Sequence, residues 1–215
     1  MKYPKINSLY QRNLDGDRSL IMGQFACHEF STIKNWTIDE KIDGNNIRII
    51  LDKTHVINSV RFGGRTDDAQ IPTKLLDYLQ DTFTLEKMES IFKDSNYVVL
   101  FGEGYGGKIQ SGGYYRSDVS FVLFDVYVSG WWLKKEDVMS LAEKLGIAHT
   151  PIISKANPYV DWSIDEIVEF VRSKPNSEFS QEKHEMEGIV ARSEPQLLFR
   201  DGTPVMFKLK CKDFK

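Results

Sequence analysis

The sequence predicts an α+β fold made mainly of antiparallel sheets with flanking helices. Apolar segments of strand length, rich in Val, Ile, Phe and Trp, dominate the chain, and three helical segments interrupt them. The two kinds of segment do not alternate regularly, which favours α+β over a doubly wound parallel sheet. No shift in composition divides the 215 residues, so we expect one domain over residues 1–215.

Seven strands are predicted from apolar composition and alternation. Asp201-Gly202 lies between two apolar runs and is typical of a hairpin turn. Residues 147–162 contain two prolines and an asparagine and are predicted to form a loop. The predicted strands cover residues 36–41, 46–51, 55–61, 97–103, 119–128, 187–193 and 203–210.

Three helices are predicted from start and stop signals. One begins at Pro72, a residue suited to a first helical turn, and another ends at Gly146, a natural C-terminal cap. The third begins after Trp162, where Ser163 and Glu166 have the spacing of a capping box. These helices cover residues 72–93, residues 134–145 and the segment that follows Trp162.

Composition and charge limit the classes of function. A net charge of -3 argues against a protein that coats nucleic acid through bulk charge, so a local basic patch would have to hold such a partner. Four lysines within residues 208–215 supply a patch. No apolar run approaches the roughly 20 residues that span a bilayer, and the N-terminus lacks a secretory signal. Cys27 and Cys211 fit reduced thiols, which favours a cytoplasmic location, or the host cytoplasm for a phage-encoded protein. We also expect a monomer and no membrane partner.

Lys41 lies where a predicted strand ends and a glycine turn at Gly44 leads into the next strand. A lysine in a packed, partly dry position can lose its proton well below the usual pKa of about 10.4, and the neutral amine is a nucleophile. A polar hairpin tip is the simpler interpretation of this segment alone, because Asp-Gly is favourable turn chemistry.

Two further segments carry candidate polar residues. Glu103 lies in a glycine-rich run that follows a buried-looking strand, and this run lacks the spacing of a phosphate-binding P-loop. Lys208 and Lys210 point to one face of the last strand, while the residues between and beside them point to the core. Two cations on one face favour an anion between them, and phosphate is the obvious candidate.

Taken in order, these segments resemble the covalent nucleotidyltransferase family of ATP-dependent ligases and capping guanylyltransferases. Lys41 opens the lysine–x–aspartate–glycine motif that would carry the nucleotide, and an arginine, two glutamates and a lysine pair follow in the family's order. The resemblance implies an ATP-grasp-like nucleotidyltransferase (adenylation) domain. The matching positions are Lys41, Asp43, Gly44, Arg65, Glu103, residues 121–125, Glu187, Gly188, Lys208 and Lys210.

Asn46 lies five positions after Lys41, where ligases of the RNA ligase 2 and RNA-editing type also carry asparagine. The opening segment Lys2–Ile6 also resembles the start of RNA ligase 2 relatives. Asp43 departs from the histidine of the RNA ligase 2 prototype, which keeps a minimal ATP-dependent DNA ligase open. The sequence is also compatible with a GTP-using capping enzyme and with a catalytically silent nick- or end-binding module. We expect no OB-fold or helical C-terminal domain, since the chain ends five residues after Lys210.

The resemblance implies that Lys41 carries AMP taken from ATP and passes it to a 5′-phosphate, which is then sealed to a 3′-OH, with RNA as the expected nucleic acid. Lys208 and Lys210, with Mg²⁺ or Mn²⁺, would neutralise the α-phosphate. Glu187 would belong to the nucleotide-binding site and hold the metal through water.

The remaining positions would recognise the nucleotide. Glu40 would accept from the adenine amino group, and Phe124 would stack on the base, with Phe121 as the second candidate because strand alternation does not distinguish them. The positions implied for ribose or phosphate are Glu103 for a ribose hydroxyl, Arg65 (or Arg61) for the ribose or substrate phosphate, Asn46 for the α-phosphate or the 3′-end, and Asp43 within the nucleotide motif.

Overall fold

The computed structural model describes residues 1–154 and 162–214. Contacts between residues group the chain in two compact units. Unit 1 comprises Met1–Tyr3, Asp43–Thr150 and Ser180–Glu182, and unit 2 comprises Pro4–Ile42, Pro151–Phe179 and Lys183–Lys215. The sequence predicts one domain, and its identity as a single adenylation domain stays a prediction.

Unit 1 contains a six-stranded sheet in which antiparallel pairs predominate. The strand order is β10-β8-β7-β5-β6, with β9 paired to β8, and only the β10–β8 pair is parallel. This sheet confirms the predicted α+β class. Its strands are β5 (Asn45–Asp52), β6 (Ser59–Gly64), β7 (Tyr97–Tyr105), β8 (Ser120–Val128), β9 (Trp131–Trp132) and β10 (Ala148–His149).

The core of unit 1 lies on one face of this sheet. Ile47, Ile49 and Leu51 alternate along β5 and are at most 1% exposed, so every second residue of the strand faces the apolar cluster. Three helices contribute to the same cluster. They are α2 (Thr73–Thr82), α3 (Leu85–Ile91) and α4 (Lys135–Leu145).

The structure divides the helix predicted over residues 72–93. Phe83 is buried and leaves the helical conformation, and Thr84 caps α3 by accepting from the amide of Lys87 at 3.3 Å. Burying Phe83 and starting a new helix at Thr84 lets both short helices place apolar residues against the sheet. The helix predicted over residues 134–145 is confirmed, and Gly146 caps it in the left-handed conformation.

The described part of unit 2 contains a four-stranded sheet in the order β1-β12-β11-β4, a two-stranded sheet and two α-helices. The predicted capping box is present, because Ser163 accepts from the Glu166 amide and the Glu166 side chain accepts from the Ser163 amide. The elements are β1 (Asn7–Ser8), β2 (Tyr10–Arg12), β3 (Leu20–Phe25), α1 (His28–Thr32), β4 (Trp36–Glu40), α5 (Ile164–Arg172), β11 (Gly188–Ser193) and β12 (Met206–Lys210).

Several predicted boundaries differ from the structure. The strand predicted over residues 55–61 begins only at Ser59, because residues 53–58 form the turn that joins β5 to β6. The predicted loop over residues 147–162 includes the short strand β10, and residues 155–161 of it lie outside the described residues. A tight turn at Asp201-Gly202 is confirmed by the hydrogen bond from Gly202 N–H to the Phe199 carbonyl. In the described residues, no helix has the length and apolar character needed to span a bilayer.

Candidate functional site

Unit 2 brings three of the predicted charged residues into one contact group. Lys41 follows β4, and its Nζ donates to one carboxylate oxygen of Glu187. Lys210, at the end of β12, donates from Nζ to the other oxygen of Glu187. The three side chains are only 15–23% exposed. Two cations therefore share one partly buried anion, and the excess positive charge suits a phosphate group.

Strand register accounts for this group. Gly188 is paired with Lys210 in the β11–β12 ladder, and the amide of Lys41 donates to the Gly188 carbonyl at 2.9 Å. A Cβ at Gly188 would lie 2.1 Å from the Leu209 carbonyl oxygen, so no larger residue fits between the strands. The glycine after Glu187 thus allows the close approach that places the carboxylate beside both lysines.

The predicted alternation of β12 is confirmed. Val205, Phe207 and Leu209 are buried in the core of unit 2, whereas Lys208 and Lys210 are partly exposed. Lys208 is paired with Val190, two positions along the strand from Lys210, which places it on the same face about 6–7 Å away.

Glu40 is 1% exposed and is held by a segment that the sequence did not predict. Its carboxylate accepts hydrogen bonds from the Ser177 hydroxyl, from Glu178 N–H at 2.9 Å and from Phe179 N–H at 3.2 Å. Burial raises the pKa of Glu40 above the ordinary glutamate value, and these hydrogen bonds act in the opposite direction. Glu40 thus anchors the chain that leads into Glu187.

In unit 1, Asn46 and Glu103 lie directly opposite each other in the β5–β7 ladder. Both belong to the strand positions that alternate with the core residues, so they lie on the sheet face opposite the apolar cluster. Asn46 Oδ1 is buried and has no hydrogen-bond donor among the described residues. A buried acceptor without a protein donor is uncommon, and water, an ion or a ligand can supply the donor at such a position.

Asp43 contacts the glycine-rich segment after β7. Its carboxylate accepts from Ser111 N–H at 3.3 Å, and its own N–H donates to the buried Tyr115 hydroxyl at 3.2 Å. A Cβ at Gly44 would lie 2.4 Å from the Gly104 carbonyl oxygen, which explains the glycine of the motif. Asp43 therefore has a structural role in the fold, and its implied role with the nucleotide stays a prediction.

The structure distinguishes Phe121 from Phe124, which alternation alone did not. Phe121 is 0% exposed and packs edge-on against Phe83 in the core of unit 1. The β7–β8 register shifts between Phe101 and Gly102, which leaves Phe124 as the extra residue of a β-bulge. Phe124 is partly exposed and contacts Tyr3 at a centroid distance of 4.9 Å.

The arginine candidates lie at β6 and in the turn after it. Arg65 directly follows the strand and is exposed, and Arg61, whose side chain is 58% exposed, pairs with Asp52 at 2.8 Å. The positions of these two arginines do not show which of them would contact a phosphate. Arg48, which the sequence did not single out, is buried and donates to the carbonyls of Gly64 and Met1 and to Asp67.

Glu187 is the carboxylate that fits a metal role. In residues 1–154 and 162–214, no group of three His, Cys, Asp or Glu side chains gathers to hold an ion. One carboxylate suffices for Mg²⁺ or Mn²⁺ when nucleotide phosphates and water supply the other oxygen ligands. The residues present therefore fit a metal that arrives with a nucleotide.

A family model described as RNA ligase matches residues 34–210, which is most of the chain. The chain belongs to the RNA ligase family. The matched range begins before Lys41 and ends at Lys210, and it includes every position of the predicted site. A search of curated protein sequences gave no match.

Solved structures of the Naegleria gruberi RNA ligase have the same fold. The structure with PPi has a TM-score of 0.65 and 18% identity over 98% of this chain and 56% of that chain. A variant with ATP and Mn has a TM-score of 0.64 and 18% identity over 98% of this chain and 56% of that chain. A variant with AMP and Mn has a TM-score of 0.59 and 15% identity over 97% of this chain and 61% of that chain. At this identity the likeness shows the fold alone, and the chain spans little more than half the length of those proteins.

Proposed function

We propose that this chain is the adenylation part of an ATP-dependent RNA ligase. The observation that carries the proposal is the contact group of Lys41, Glu187 and Lys210, which places a candidate nucleophile beside an acid and a second cation. Membership of the RNA ligase family supports it. Solved forms of the Naegleria gruberi RNA ligase with ATP and Mn, with AMP and Mn, and with PPi also support it.

In the first step, Lys41 Nζ attacks the α-phosphorus of ATP. A nitrogen–phosphorus bond forms, the bond from that phosphorus to the β-phosphate oxygen breaks, and pyrophosphate leaves. The attacking amine must be neutral, so one Nζ proton passes to the Glu187 carboxylate, which accepts from Lys41 in the structure, before or during attack. Lys210, already beside Glu187, would then neutralise charge on the phosphoryl oxygens.

A divalent metal would neutralise the phosphate oxygens of the bound nucleotide. Glu187 is the side chain that would hold Mg²⁺ or Mn²⁺ through water, and its two oxygens now bind Lys41 and Lys210. In the later steps AMP passes from Lys41 to a 5′-phosphate, and a 3′-OH displaces AMP to form a phosphodiester.

Nucleotide recognition would use the polar and aromatic residues described above. Glu103 would bond a ribose hydroxyl, Asn46 would orient the α-phosphate or the 3′-end, and Phe124 would stack on adenine. The unpaired Asn46 oxygen and the partial exposure of Phe124 support these roles. The adenine-binding role of Glu40 would require its buried carboxylate to exchange hydrogen bonds that it now accepts from residues 177–179, and Arg65 would reach the ribose or substrate phosphate. The single adenylation domain, the monomeric state and the cytoplasmic location stay predictions.

The test is covalent labelling with α-labelled ATP and, in parallel, α-labelled GTP, followed by a denaturing gel. We expect ATP alone to label the chain, Lys41→Ala to abolish the label, and Lys212→Ala to retain it, because Lys212 is an exposed lysine of the same unit. Label from GTP would favour a capping enzyme. No label from either nucleotide would leave a nick- or end-binding module.

The labelled chain then distinguishes RNA from DNA substrates. Incubated with nicked duplexes that carry a 5′-phosphate and a 3′-OH, it should transfer AMP to RNA ends and seal them faster than DNA ends of the same sequence. Faster sealing of the DNA nick would support the minimal DNA ligase.

A further inference from the structure

The first three residues are fixed on the sheet of unit 1. The Met1 ammonium donates to the Tyr97 hydroxyl at 3.1 Å, and the Met1 carbonyl accepts from Arg48 at 3.1 Å. Lys2 pairs with Asp67 at 3.0 Å. These contacts hold the Met1 backbone and the Lys2 side chain, so the position of Tyr3 is set by more than its own side chain.

Tyr3 packs on the aromatic residues of the sheet face opposite the core. Its ring lies 5.0 Å from Phe101, 4.9 Å from Phe124 and 5.9 Å from Trp132, measured between centroids. Its hydroxyl donates to the carboxylate of Asp125, the residue after Phe124, and Asp125 is 3% exposed. Tyr3 therefore holds two consecutive residues of β8 at once.

Those two residues lie at the bulge, where the ladder provides the least restraint. Leu123 and Val126 both face the core, so the alternation of β8 shifts by one residue between them. Phe124 has no opposite residue in the β7–β8 register. The direction of its ring is therefore set by packing and not by strand pairing.

We propose that Tyr3 is a positioning residue for nucleotide binding, which fixes the Phe124 ring through edge contact and through its hydrogen bond to Asp125. The inference rests on the proposed function, since Phe124 is there the residue that stacks on adenine. An edge-to-face contact orients a ring without covering both of its faces, so Phe124 can be held and still receive a base.

The experiment measures the rate of Lys41 labelling as a function of ATP concentration in the full chain. Tyr3→Ala should raise KM for ATP about 5–10-fold and change kcat less than about 2-fold, and Tyr3→Phe, which keeps the ring, should raise KM about 2-fold. Tyr127→Ala is the matched control, because Tyr127 packs on Trp132 from the same sheet and has no contact with Phe124 among the described residues. Thermal unfolding confirms that each variant is folded at the assay temperature.

A double-mutant cycle separates positioning from general destabilisation. In a Phe124→Ala background, Tyr3→Ala should change KM less than about 2-fold, because the residue through which it acts is gone. An undiminished effect in that background, or an equal effect of Tyr127→Ala, would overturn the inference. Failure of the unmodified chain to label would overturn the proposed function, whereas normal labelling with an unchanged KM in Tyr3→Ala would overturn this inference alone.

Discussion

The two compact units hold their candidate site residues in different ways. In unit 2, Lys41, Glu187 and Lys210 are charged groups that satisfy one another, and Glu40 is satisfied by Ser177 and its neighbours. In unit 1, Asn46 has an unpaired oxygen and Phe124 occupies a bulge that strand pairing does not restrain. The first set is held by ion pairs and hydrogen bonds within unit 2, whereas Asn46 and Phe124 are held by fewer polar contacts.

This difference predicts different consequences of mutation. A cation removed from the Lys41, Glu187 and Lys210 group takes away the excess positive charge that would act on the transferring phosphate, so the rate should fall. Removing a side chain from the sheet face of unit 1 opposite the core would weaken contact with the nucleotide in the ground state and the transition state alike, so KM for ATP should rise.

The largest effect is expected from Lys210→Met, which retains side-chain volume and removes the cation. We expect labelling of Lys41 to slow by about 100-fold or more at saturating ATP, because removing one preorganised charge stabiliser costs about 10²–10³ in rate. Lys212→Met, in the exposed 3₁₀ turn that follows, should leave the rate unchanged. An effect of Lys210→Met on KM alone would mean that unit 2 binds the nucleotide without acting on the phosphate.

The second prediction compares two phenylalanines of β8. Phe124→Ala should raise KM for ATP about 10-fold and change stability little, because the ring is partly exposed. Phe121→Ala should lower the free energy of unfolding by about 3–5 kcal/mol, the usual cost of removing a buried aromatic ring. Urea unfolding and ATP titration of both variants check this. A loss of stability in Phe124→Ala together with a raised KM in Phe121→Ala would show that Phe124 belongs to the core and Phe121 to the nucleotide-binding face.

The strands of the site could be predicted because their signals are local. Lys41 at the end of β4, the alternating lysines of β12 and the capping box at Ser163 each depend on residues within about five positions. The glycine after Glu187 was expected only from the family motif, because the close approach that requires it is to Leu209 on another strand.

The parts that could not be predicted depend on partners distant in sequence. The bulge at Phe124 is a property of pairing with β7, and the burial of Glu40 depends on residues more than 130 positions away. The break at Phe83 had a local signal in Thr84, which an uninterrupted apolar pattern obscured. The segment that contains Tyr3 could be recognised by its resemblance to RNA ligase 2 relatives. The hydrogen bond from Tyr3 to Asp125 could not be predicted from the sequence.

The third prediction concerns the buried carboxyl of unit 2. The folded protein binds the Glu40 proton more tightly than the unfolded chain, because the pKa of Glu40 is raised by burial. The associated stability is present below the ordinary glutamate pKa and is lost as pH rises through the raised value. Urea unfolding from about pH 4 to 8 should therefore show a contribution to the free energy of unfolding that falls as pH rises. Glu40→Gln should remove this contribution, and Glu29→Gln, at an exposed side chain of the same unit, should retain it. Identical pH slopes in wild type and Glu40→Gln would contradict it.

The smallest effect tests burial in unit 2 on the Cys211 thiol, whose raised pKa is caused mainly by burial. Burial raises the pKa of the Cys211 thiol to about 11, and this residue is 1% exposed, whereas Cys27 is partly exposed. The thiolate is the reactive form, and at pH 8 a pKa of about 11 leaves about one thiol in a thousand ionised. We expect a disulfide reagent to modify one thiol in the native protein and both after unfolding, with Cys27→Ser abolishing the native reaction. Rapid modification of Cys211 in the folded chain would mean that the core of unit 2 opens readily. The low exposure of Glu40 could then not explain its raised pKa.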